Sequence, residues 1–320
     1  MDQTIRRPIK PKLLNPGDGI GIITPASPML VEKLHKGVDY LKALGYRTFL
    51  GEHVYDSYGY LAGRDRDRVN DLHFMFENPE IKAIISSRGG YGTPRLLDKI
   101  NYNLIAANPK IFVGYSDLTA LQLAIWRHTG LVTFSGPMVA VEMGKGIDPF
   151  TGQNFWPLLT QTNVDGFFSR KTEKPVKVIK QGKAKGTLLG GCLSLINSVI
   201  GTGHQPAFDG AILILEDVGE EPYRIDRYLA QLQSAGVFTQ ISGLILSQFI
   251  NCEEKEKDPT LTLDEIFTNY FGSLSIPIVK NFLYGHIPKK FTIPIGVKVE
   301  IDTSVPVVKL LEAPVESNVS

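Results

Sequence analysis

Residues 109–130 read PKIFVGYSDLTALQLAIWRHTG. The apolar run at 111–115 is short enough for a buried strand, and the stretch from Leu118 to His128 has the length and periodicity of a helix. Ser116 falls on the turn between them. Outward from this unit the alternation repeats: residues 19–24 (GIGIIT) and 82–86 (KAIIS) read as strands, 29–44 as a helix and 93–100 as a short helix. Strands alternating with helices build a parallel sheet covered on both faces, with ligands gathering at the carboxyl ends of its strands.

From about residue 144 to 185 the periodicity weakens, and residues 171–186 (KTEKPVKVIKQGKAKG) are rich in lysine. That stretch reads as a solvated connection or, alternatively, as a basic binding patch. Beyond it a helix is expected after Gly190, a strand at 211–215, a helix at 225–235 and strands near Leu244 and Val297. The expected fold is α/β. Residues 1–150 would form a parallel-sheet, flavodoxin- or Rossmann-like domain, 151–185 a linker, and 186–320 a smaller α/β domain rich in β-structure.

A chain of 320 residues is long enough for two cores. With 34 basic and 33 acidic residues the formal charge is +1, so no global field points to nucleic acid or an anionic membrane. The two cysteines, Cys192 and Cys252, form no metal-ligand pattern and no disulfide framework, so neither a metal nor a cofactor is expected. The opening residues 1–27 carry charge and proline in place of a signal peptide's apolar core, and no stretch has the length of a membrane span. A reducing, cytoplasmic setting and a small-molecule or peptide partner are expected.

A serine on a strand-to-helix turn can act as a nucleophile, because the amide of the next residue, Asp117, is aimed at a developing oxyanion. The hydrolase elbow G-x-S-x-G is matched only as GYSDL, with Leu118 in place of the second glycine. A helix cap is the competing reading. In residues 86–97 (SSRGGYGTPRLL) a strand enters a glycine-rich loop. Gly89 or Gly90 could cradle an oxyanion or carboxylate with the Arg88 cation beside them, or the segment could be an ordinary tight turn. No P-loop or dinucleotide fingerprint is present.

A serine nucleophile needs a base. His35, His73 and His128 belong to expected helices, and His53 and His204 to loops without pattern. His286 lies between two strand-like runs in NFLYGHIPKKFTIPIG, on a loop stiffened by Pro288. A carboxylate must then orient the imidazole. Glu216 closes the apolar run AILIL, and Asp217, Glu220 and Glu221 compete with it as candidates or as favourable charge before the next helix.

Taken together, GDGIGIITPAS, RGGYGTPRLL, GYSDLTAL, GTLLGGCLSLI, ILEDVGEEPYRIDRYLAQL and GHIPKKFTIPIG resemble, in order and along nearly the whole chain, the LD-carboxypeptidase family of serine peptidases. The resemblance implies Ser116 as nucleophile, His286 as base and Glu216 as the orienting carboxylate, with the amides of Gly90 and Asp117 as the oxyanion hole. It implies a homodimer and a murein-derived short peptide as substrate, cut before a C-terminal D-amino acid in cell-wall recycling. Arg88, Gly89, Arg224 and Arg227 become candidates to hold the terminal carboxylate. The family usually reads GGN where this chain has Cys192. Two other readings stand beside this one: a relative of the microcin-immunity peptidases that cleaves a peptidyl-nucleotide, and a two-domain ligand-binding protein without catalysis.

Overall fold

The computed structural model describes residues 7–163, 168, 175–253, 259–305 and 307–318. Part of the lysine-rich connection, at 164–167 and 169–174, lies outside the described residues.

The first half of the chain alternates as expected: β1 (Gly19–Ile23), α1 (Val31–Ala43), β2 (Arg47–Leu50), α2 (Asp65–Glu77), β3 (Ile81–Ser86), α3 (Tyr102–Ala107), β4 (Ile111–Val113), α4 (Leu118–Thr129) and β5 (Thr133–Ser135). These strands pair in parallel in the order β5-β4-β3-β1-β2. Every residue of β1 and β4 is buried, the signature of strands covered on both faces. β2 ends the sheet and is partly exposed.

Two short helices follow, α5 (Pro149–Gln153) and α6 (Trp156–Thr160). The second half then runs β6 (Lys177–Lys180), β7 (Lys183–Cys192), α7 (Leu193–Val199), β8 (Ile212–Val218), α8 (Pro222–Ser234), α9 (Val237–Gln240), β9 (Gly243–Ile250), α10 (Leu263–Phe271), β10 (Ile278–Lys280), β11 (Ile293–Ile295), β12 (Lys298–Asp302) and β13 (Val307–Leu310). Among the described residues the second sheet has the order β13-β12-β7-β8-β9-β10-β6. Its centre, β7 to β10, is parallel, and β12, β13 and β6 are added antiparallel at the flanks. β11 instead lies antiparallel against β5 and so extends the first sheet.

Helix α4 is the element on which the two sheets meet. Ten of its twelve residues are buried, which a helix exposed on one face would not show. At its start the Thr119 hydroxyl oxygen accepts from the Cys192 amide at 3.2 Å, at the end of β7. Near its end a Cβ on Gly296, between β11 and β12, would lie 2.4 Å from the Trp126 ring. The helix stops at Gly130, whose φ of +77° closes the last turn.

Several expected boundaries shift, among them the strand at 211–215, which runs Ile212–Val218, and the helix at 225–235, which runs Pro222–Ser234. Residues 93–100 form two 3₁₀ turns, Thr93–Arg95 and Leu97–Lys99, in place of one helix. Their i→i+3 bonds, Leu96 N to Thr93 O and Lys99 N to Leu96 O, are what a segment too short to sustain an α-helical nucleus can form. Gly190 and Gly191 belong to the end of β7, and the helix begins only at Leu193. β4 stops at Val113, so Tyr115 stands outside the strand.

Candidate active site

Ser116 sits between β4 and α4 with φ +66°, one of three positive-φ residues other than glycine among those described. A serine held in the left-handed region costs on the order of 1 kcal/mol and persists only where its surroundings impose it. Those surroundings are visible. A Cβ on Gly89 would lie 2.9 Å from the Ser116 Cβ and 3.1 Å from its Oγ, so the glycine-rich loop touches the serine directly. Asp117 is buried, and its carboxylate accepts from the Thr93 amide at 2.8 Å, fastening that loop to the elbow. Burial pushes the Asp117 carboxyl above its ordinary pKa, against the pull of its Thr93 and Gly92 hydrogen bonds and the nearby Arg68 charge.

Glu216 lies on β8, and its residue is 0% exposed. Its Oε2 is 2.8 Å from His286 Nδ1, and the imidazole side chain retains 17% exposure. That contact commits Nδ1 to the carboxylate and leaves Nε2 as the nitrogen able to exchange a proton with a substrate or a hydroxyl. The His286 ring packs edge to face on Tyr115, the residue before Ser116, with centroids 5.1 Å apart. The structure therefore brings His286 and Glu216 together and sets the imidazole on the ring of Tyr115, the residue next in the chain to Ser116.

The negative charge of Glu216 is felt around it. The Tyr284 hydroxyl, 2.6 Å from Ser135 Oγ, is pushed well above its ordinary pKa by burial and then by Glu216. The Cys192 thiol is raised for the same two reasons, in the same order. Asp217 is pushed up to about 6, again by burial and then by Glu216. Asp217 does not compete for the imidazole: its oxygens accept from the Ser194 and Val218 amides, each at 2.8 Å, so it caps the start of α7. The second oxygen of Glu216, Oε1, is buried without a hydrogen-bond partner among the described residues.

The candidate binding residues divide. Gly90, φ +116°, follows Gly89 on the loop, where a Cβ would lie 2.4 Å from Ser27 Oγ. Asp117 stands at the N-terminus of α4, where the first amides have no acceptor within the helix. Arg88 donates to the carbonyl oxygens of Gly89 and Pro28, each at 3.1 Å, and so braces the loop. Arg224 and Arg227 are exposed on α8 around Tyr223, with Arg224 3.7 Å from Glu220.

Other polar residues packed at this junction had no signature in the sequence. Lys290 and Glu142 form an ion pair at 2.6 Å beside the Tyr115 ring. The only available hint was position, since Tyr115 precedes the serine and Lys290 closes the histidine loop. Elsewhere, His53, Asp56 and Asp67 bring ligand-type atoms within 4.8 Å of one another, and His128 Nε2 meets His204 Nδ1 at 3.0 Å. No helix among the described residues is long and apolar enough to cross a membrane.

The fold is a two-sheet α/β architecture in which the helix that follows the Ser116 turn lies where the sheets meet, with a buried Glu–His couple beside Tyr115. The chain belongs to the LD-carboxypeptidase family: residues 20–136 match the model of its N-terminal domain and residues 185–301 that of its C-terminal domain. It is 40% identical to the probable murein peptide carboxypeptidase of Bacillus subtilis, over 92% of each chain. It is 33% identical to the murein tetrapeptide carboxypeptidase of Pseudomonas aeruginosa, over 91% of this chain and 95% of the other. The structure of the microcin C7 self-immunity protein MccF, a protein of Escherichia coli, in complex with glutamyl sulfamoyl guanosine superposes with a TM-score of 0.86 at 26% identity, covering 97% of this chain and 100% of that one.

Proposed function

We propose that this chain is a serine carboxypeptidase that releases the C-terminal D-amino acid from a short murein-derived peptide. The observation that carries the reading is the 2.8 Å contact between His286 Nδ1 and buried Glu216, on a loop packed against the residue preceding Ser116. Ser116 Oγ attacks the scissile carbonyl carbon as His286 Nε2 takes its proton. The amides of Gly90 and Asp117 receive the negative charge on the carbonyl oxygen. The C–N bond then breaks, the imidazolium returns its proton to the departing amine, and water hydrolyses the acyl-enzyme with His286 again as base. Glu216 keeps the imidazole in the productive tautomer and balances its charge while protonated.

The names of the Bacillus and Pseudomonas relatives support a murein peptide as substrate and, with it, a role in cytoplasmic cell-wall recycling. The exposed guanidinium groups of Arg224 and Arg227 are suited to the substrate's terminal carboxylate, whereas Arg88 is engaged with backbone. A second reading, cleavage of a peptidyl-nucleotide, is favoured by the extent of the match to the MccF complex. Incubation with a purified murein tetrapeptide and, in parallel, with a glutamyl sulfamoyl nucleoside, each followed by mass spectrometry, separates the two. Release of D-alanine that disappears in Ser116→Ala supports the first. Turnover of the nucleoside alone supports the second, and binding without turnover of either defeats both.

A further inference from the structure

Lys290 closes the loop that carries His286, and it is 1% exposed. Its Nζ lies 2.6 Å from Glu142 Oε1 and 3.6 Å from the centre of the Tyr115 ring. The Tyr115 hydroxyl donates to the same Glu142 oxygen at 2.8 Å, while Oε2 accepts from the Met138 amide at 2.9 Å. The Tyr115 ring also receives the edge-to-face contact of His286. The loop backbone is held too, since the Lys290 amide donates to Thr151 Oγ1 and that hydroxyl donates to the Pro288 carbonyl.

A buried ion pair is a poor device for stability, because a well-packed apolar pair of similar volume is often as good or better. What it adds here is direction. The ammonium over the ring and the shared carboxylate oxygen fix the position and tilt of Tyr115, which an aliphatic chain could not do. Tyr115 is joined by one peptide bond to Ser116, and its ring packs edge to face against that of His286. A movement of this ring therefore changes both partners of the proton transfer at once.

We propose that Lys290 is a positioning residue: with Glu142 it clamps the Tyr115 ring and so sets the imidazole of His286 against the hydroxyl of Ser116. The inference rests on the reading that Ser116 and His286 carry the reaction. It extends that reading to a cation that touches neither substrate nor the reacting atoms.

The test uses the full chain with three variants: Lys290→Arg, the double variant Lys290→Met/Glu142→Gln, and Tyr115→Phe. Removing both charges avoids stranding a buried carboxylate, and Tyr115→Phe keeps the ring while removing one of its two anchors. Each is followed by thermal unfolding, by kcat and KM for D-alanine release from the tetrapeptide, and by the ring resonances of His286, assigned with His286→Gln. In the double variant kcat is expected to fall on the order of 10²-fold, the scale of a misplacement of about 1 Å, with KM within about threefold. Lys290→Arg, which keeps the cation, recovers most of that loss, and Tyr115→Phe shows a smaller fall in the same parameter. The His286 resonances move in the double variant and return in Lys290→Arg. Native kcat with unmoved His286 resonances in either the double variant or Tyr115→Phe overturns the clamp, as does a loss confined to KM. Should the unsubstituted protein release no D-alanine, the functional reading falls, and the His286 resonances still decide the clamp.

Discussion

Gly285 and Glu216 approach so closely that no side chain fits between them: a Cβ on Gly285 would lie 2.7 Å from Glu216 Oε2. That oxygen is the one holding His286 Nδ1. Gly285 also has a φ of +117°, a conformation that residues with a side chain rarely adopt and only with strain. Gly285→Ala therefore carries both a clash and backbone strain, on the atom pair that orients the base. A loss of about 1–3 kcal/mol in urea unfolding is expected, together with a fall in kcat on the order of 10²-fold. Native turnover in this variant would show that the Glu216–His286 contact does not govern the reaction.

Ser116 offers a contrast between activity and stability. Its φ of +66° is comfortable for glycine and strained for alanine. Ser116→Gly and Ser116→Ala both remove the hydroxyl and should both abolish D-alanine release. Ser116→Gly should nevertheless unfold at higher denaturant than Ser116→Ala, by about 1 kcal/mol. Equal midpoints would mean that the elbow relaxes when the hydroxyl is gone, and that the strain is not imposed by the surrounding loops.

The cysteines can be examined without substrate. Cys192 and Cys252 are both buried, and burial raises both thiols, Cys252 to about 11. The thiolate is the reactive species, so neither side chain should react in the native protein near neutral pH. A disulfide-exchange reagent is expected to titrate no thiol before unfolding and two afterwards. Rapid modification of one thiol in the native state would indicate an opening of the β7–α7 corner or of the turn after β9.

How much of this was legible beforehand differs from element to element. The β4–Ser116–α4 unit was readable because an apolar run of strand length meets a helix-period stretch, and both signals are local. The Glu216–His286 contact was not, since the two residues are 70 positions apart and no spacing rule joins them. Only the ordered resemblance of several segments to one family suggested it. Asp217 illustrates the same limit in reverse. Its neighbour ends up facing the imidazole, while Asp217 turns to the amides of Ser194 and Val218, a choice set by which side of β8 each residue occupies. The Lys290–Glu142 pair, 148 positions apart, left no trace in pattern or composition.

The pH dependence of stability can be followed at Asp71, on α2. Asp71 is 6% exposed and accepts from the His53 amide, and burial pushes its carboxyl from 3.8 up to about 6. With the native value above the unfolded one, the folded state holds more protons between the two, so this group's contribution falls as pH rises from about 4 to about 6. Above that range the full cost of burying a charge is present; below it the carboxyl is neutral in both states. Asp71→Asn keeps an oxygen for the His53 amide and carries no charge. Relative to the unsubstituted protein, it should gain on the order of 1–2 kcal/mol at pH 8, an amount below the ceiling set by the full shift, and almost nothing at pH 4. Urea unfolding at the two pH values measures the difference. A gain of equal size at both would mean that packing around Gly51, where a Cβ would lie 2.3 Å from Asp71 Oδ2, and not charge burial, sets the effect.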